Sequence, residues 1–208
     1  MKKSMFAVAF AAVASAGTAN AQTYTFASSV GVQPTNVATI TIKQVNATTV
    51  NVLVDLINNT YGFINTGGKH TPFAFNIRGT ESGLSTFFIT PPGGVYANGT
   101  FSFTTNDGDA TPFGTFGVSI ESSAGNGSGN AYYGDLEFNV TRASGLTTND
   151  FVANSQGYYF GADLTDGRDT GSQAWAMRSM STVPEPASVV LMASGLLALG
   201  VVARRKRA

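Results

Sequence analysis

Val50-Asn51-Val52-Leu53-Val54-Asp55-Leu56 is the stretch whose reading decides the fold class. The three valines and Leu56 fall on one side of an extended chain, and Asn51 and Asp55 fall on the other. Successive side chains of a strand point to opposite faces, so a period of two with one apolar side describes a half-buried β-strand. The pattern recurs in Phe73, Phe75 and Ile77, in Phe101 and Phe103, and in Phe116, Val118 and Ile120. It returns in Leu136, Phe138 and Val140, and in Tyr158, Phe160, Ala162 and Leu164. Shorter candidates run from Tyr24 to Phe26, Val37 to Ile42, Leu84 to Ile89 and Ala174 to Met177. Turn-forming clusters lie between them: Asn65 to Gly68, Pro91 to Gly94, Asn106 to Asp109, Gly125 to Asn130, and Asp166-Gly167. They break the chain at intervals too short for helices. About ten short strands with one apolar face each predict an all-β domain over 22–181, an antiparallel β-sandwich of jelly-roll-like type. A parallel β-helix would need a repeat of fixed period, and the sequence has none.

The two ends carry different instructions. Lys2 and Lys3 precede an apolar stretch from Met5 to Ala16 and then Ala19-Asn20-Ala21. This is the layout of a cleavable secretory signal over 1–21, with Ala19 and Ala21 as the small residues that signal peptidase reads. The other end, 182–208, holds Pro184-Glu185-Pro186, an uncharged run over 187–203, and Arg204-Arg205-Lys206-Arg207. As a helix that run would be about 25 Å long, slightly under the ~30 Å hydrocarbon core, which predicts a single transmembrane helix. Pro184 and Pro186 fix their own φ and remove amide donors, so the segment before the span is expected to be extended and open to a protease cleft. The four cations should stop transfer and stay inside, leaving the domain outside. The expected product is transiently a single-pass membrane protein and then a cell-surface or extracellular one.

Those three tail features, in that order and at the terminus, resemble the PEP-CTERM sorting signal of Gram-negative, biofilm-forming bacteria. The resemblance implies processing by an exosortase, a membrane-embedded cysteine protease or transpeptidase, and delivery to the cell envelope or the exopolysaccharide matrix. It implies nothing catalytic. The stretch from Leu136 through Phe151-Val152-Ala153-Asn154 to Asp163 also resembles the end of the small all-β domain found in many proteins with such tails.

Outside the signal and the tail, six Lys and Arg face eleven Asp and Glu, a net charge of −5. A mildly acidic, lysine-poor domain has no electrostatic footprint for nucleic acid. The chain has no cysteine, which excludes disulfides, thiol redox chemistry and thiolate metal sites. His70 is the single histidine, in the loop Gly67-Gly68-Lys69-His70-Thr71-Pro72, so histidine-rich metal sites are excluded and a Ser-His-Asp triad would depend on this residue. No serine sits in a G-x-S-x-G elbow.

Three clusters remain. Asp135 and Glu137 lie two apart beside Leu136 and Phe138, so both carboxylates are expected on one outward face, at a spacing compatible with a glycan hydrolase pair. Asp163, Asp166 and Asp169, with Gly167, are expected in a loop after the Tyr158 to Leu164 strand, where hard oxygen ligands would suit calcium. Thr23-Tyr24-Thr25 and Thr39-Ile40-Thr41 are two separate T-x-T pairs, a hydroxyl pattern used by some ice-binding surfaces, although threonine is favoured on strands in any case. The expectation is a non-enzymatic protein without a cofactor, adhesive or structural at the cell surface. Its alternatives are a calcium-dependent carbohydrate-binding module and a hydrolase using Asp135 and Glu137.

Overall fold

The structure, a computed structural model, describes residues 21–27, 36–57, 60–68, 70–167 and 173–176. They form thirteen strands and three short 3-10 turns. In chain order the strands are β1 (Ala21–Ala27), β2 (Asn36–Asn46), β3 (Thr49–Leu56), β4 (Gly62–Phe63), β5 (Phe73–Ile77), β6 (Leu84–Thr90) and β7 (Val95–Tyr96). Next come β8 (Gly99–Asp109), β9 (Thr115–Ser122), β10 (Leu136–Arg142), β11 (Phe151–Val152), β12 (Phe160–Thr165) and β13 (Gln173–Ala176). All pairings are antiparallel.

One sheet has the order β1-β2-β3-β10-β6 and the other β13-β12-β5-β9-β8-β7, with β11 paired to β5 and β4 to β12. The alternation in β3 explains why they stack. Val50, Val52, Val54 and Leu56 are buried, while Asn51 and Leu53 are partly exposed and Asp55 is exposed. The inner residues of both sheets belong to one cluster. Phe138 of β10 meets Phe73 and Phe75 of β5 at ring-centroid distances of 6.1 and 6.0 Å, and Tyr24 of β1 meets Phe160 of β12 edge-on at 4.9 Å. The expected all-β class and sandwich layering are therefore present.

The outer face of the second sheet is not bare. Ala110 forms an isolated bridge with His70, and Ala74, Ala110, Phe113, Phe116 and Tyr158 make a second, smaller apolar cluster. Gly161 lets this cover lie down: a Cβ there would stand 2.6 Å from the Ala110 Cβ. The sequence reading placed a turn over Asn106 to Asp109, but these residues belong to β8, whose pairing with β9 is interrupted by a bulge between Thr105 and Gly108. A bulge bends a strand without ending it, so turn-type residues fit inside one.

Residues 1–20 of the expected signal and the whole sorting segment lie outside the described residues. Ala21 opens β1 opposite Lys43, so a cut after it would leave β1 intact from Gln22 onward. Among the described residues, no helix is long and apolar enough to cross a membrane.

Candidate functional site

The strand register assembles a polar surface that the sequence did not reveal. On the outer face of the five-stranded sheet, Lys43 of β2 pairs with Asn51 of β3, Asn51 with Asn139 of β10, and Asn139 with Phe87 of β6. These four positions form one row straight across the sheet. The next row contains Thr23, Thr41, Leu53 and Glu137, and the row beyond it Thr25, Thr39 and Asp55. The two T-x-T pairs, separate in sequence, thus sit side by side as a two-by-two group of hydroxyls.

The centre of this face is held in place. Asn51 Nδ2 donates to Glu137 Oε1 and to Asn139 Oδ1, both at 3.1 Å, and the hydroxyls of Thr49 and Thr141 meet at 3.1 Å. Between the strands lies a shallow trough of about 480 Å³ lined by Lys43, Gln44, Val45, Asn51, Ile89, Glu137 and Asn139. Val45 is 54% exposed and Phe87 68% exposed, so apolar side chains stand at both margins of an otherwise polar row.

The two carboxylates of the hydrolase pair each have a local partner. Glu137 lies within this hydrogen-bonded row, whereas Asp135 precedes β10 and its Oδ1 accepts the Leu56 N–H at 3.1 Å. One carboxylate is tied to a side-chain amide and the other to the backbone at the strand's end. A glycan hydrolase needs its two carboxylates disposed about the scissile bond, one as acid and one as base or nucleophile; here each carboxylate already has a partner within the protein.

The calcium cluster also changes. Asp163 is not in the loop but in the middle of β12, and it is 1% exposed. Its Oδ2 accepts from the Thr66 hydroxyl at 2.5 Å, while its Oδ1 has no hydrogen-bond partner. Burial raises its carboxyl to about 6, against the opposing effects of the Thr66 bond and nearby His70. Asp166 follows the strand, and Asp169 lies outside the described residues. Among the described residues no group of three or more His, Asp or Glu is placed to hold a metal ion.

His70 lines a second depression, of about 460 Å³, with Asn65, Gly67, Gly68, Thr71, Asp109, Glu121 and Asn126. Beside it, Thr71 Oγ1, Ser119 Oγ and His70 Nδ1 are buried without hydrogen-bond partners. His70 Nδ1 has no hydrogen-bond partner among the described residues, so no carboxylate orients the ring through it as a Ser-His-Asp triad requires.

Comparison with known proteins places one feature. Residues 182–207 match the PEP-CTERM protein-sorting motif, covering the expected Pro184, Glu185 and Pro186, the apolar run and Arg204, Arg205, Lys206 and Arg207. The match supports processing by an exosortase-like membrane protease and export to the cell surface or beyond. No curated protein matches the chain. No solved structure matches it.

Proposed function

We propose that this chain is a non-enzymatic extracytoplasmic protein, exported by its signal segment, held briefly in the inner membrane by its tail and then sorted to the cell envelope or exopolysaccharide matrix. There its β-sandwich has an adhesive or structural role. The observation that carries this reading is the sorting motif at 182–207. Its partners are signal peptidase, acting after Ala21, and the exosortase-like protease, acting near Pro184-Glu185-Pro186. The polar outer face, with Glu137 and Asp135 bound into local hydrogen bonds, favours contact over catalysis.

The test is the mass and cellular fraction of the native protein, with Pro184, Glu185 and Pro186 intact and then replaced by alanine. The expected result is a product lacking both ends and found outside the cell, and accumulation of a tailed form in the inner membrane when the three residues are changed. A tailed protein in the inner membrane in both cases would make it an ordinary anchored domain and overturn the sorting reading.

A further inference from the structure

We propose that the outer face of the five-stranded sheet, along the row Lys43–Asn51–Asn139–Phe87, is a calcium-independent docking site for an uncharged polysaccharide strand. A sugar ring offers two kinds of surface. Its hydroxyls donate and accept hydrogen bonds, and its C–H faces are apolar. The row offers both counterparts in sequence. With Asn51 Nδ2 committed to Glu137 and Asn139, the Asn51 Oδ1 and the Asn139 amide nitrogen are left to serve neighbouring hydroxyls as acceptor and donor. Phe87 lies next in register, 68% exposed, where a ring face can rest on it.

Three further observations choose this occupant over others. First, the amide and carboxylate groups are already fixed by cross-strand bonds, so a ligand that needs their geometry loses little side-chain entropy on binding. Second, the trough is lined by one cation, Lys43, and one anion, Glu137, which suits a neutral polymer better than an anionic one or a nucleic acid. Third, the row crosses four strands, about 14 Å between its outer Cα positions. That is the length of a few linked sugar rings, and Lys43, Asn51 and Asn139 of the row line the trough. A protein partner would be expected to bury a denser apolar centre than one phenyl ring and the flanking Val45 and Ile89.

The site deepens the envelope reading by naming the partner, but binding by the purified chain does not depend on where the cell delivers it. Failure of either leaves the other standing. The experiment retains the full chain, purified in mild detergent, on cellulose, β-1,3-glucan, starch and galactomannan, with alginate as the anionic comparison. Phe87→Ala and Asn139→Ala are compared with Val95→Ala, which removes an exposed side chain from β7 in the other sheet.

The expected result is saturable retention on at least one neutral polymer, unaffected by EDTA. Phe87→Ala and Asn139→Ala weaken it about tenfold or more, and Val95→Ala leaves it unchanged. Matching melting curves confirm that the variants are folded. Retention on none of the neutral polymers, retention that both variants preserve, or loss on chelation would overturn the proposal. So would variant-sensitive binding confined to alginate, or loss of self-association in Phe87→Ala without polysaccharide retention.

Discussion

Asp163, expected in a loop, is instead a buried residue in the middle of β12. Alternation sets it opposite Phe160, Ala162 and Leu164, which a two-layer reading treats as the wet side. Here that side lies beneath the bridge between His70 and Ala110 and the smaller cluster, so the carboxyl is buried. The consequence can be measured. Burial lifts its pKa from an ordinary 3.8 to about 6, so between those values the folded protein holds a proton that the unfolded chain has released. Stability from this group is fully present below pH 3.8 and is lost as pH rises through 6, by roughly 3 kcal/mol. Asp163→Asn retains an oxygen for the Thr66 hydroxyl but cannot ionise. It should be more stable than the parent at pH 7.5, with the advantage shrinking towards pH 4 in urea melts at the two pH values. Equal differences at both would show that the carboxyl ionises without penalty.

At the scale of elements, the strands with several alternating residues were legible: β3, β5, β9, β10 and β12 lie where the period of two predicts them. The two-residue strands β4, β7 and β11 were not, because two residues carry no period and their pairing depends on partners far along the chain. Composition misled at Asn106 to Asp109. Gly108 is needed there because a Cβ would stand 2.8 Å from Phe116 O and 2.9 Å from Val118 O, a close approach inside a bulged strand and not the apex of a turn. The candidate glycan row was invisible for a related reason. Lys43, Asn51, Phe87 and Asn139 come from four strands, and only register brings them together.

The end of β10 is another contact of this kind. Arg142 Nε donates to Gly145 O and one guanidinium nitrogen to Arg78 O, both at 2.8 Å, while the other approaches Asp150 at 3.6 Å. Asp150 in turn accepts from the Thr147 amide and hydroxyl, closing a capping box. A lysine keeps the charge but not the fork. Arg142→Lys should therefore cost about 1–2 kcal/mol, most of it from backbone carbonyls losing their donor. The shift in urea midpoint at constant m-value measures it.

For the whole molecule, the separation of functions follows from the chain's layout. The ends carry basic and apolar segments, the C-terminal one matching the sorting motif, and the region between them carries a net charge of −5 and its own core. That core is shared by the two sheets, so each buries its inner face against the other. Phe138 is the clearest link, touching Phe73 and Phe75 across the sandwich and Phe88 beside it at 5.9 Å. Phe138→Ala should remove about 3–5 kcal/mol, through lost burial and the cavity left behind. If the sheets depend on one another as this packing implies, protection of slowly exchanging amides should fall equally in β3 of one sheet and β5 of the other. Loss confined to the sheet containing β10 would mean that the second sheet, with its outer cover of Ala110, Phe113 and Tyr158, holds together independently.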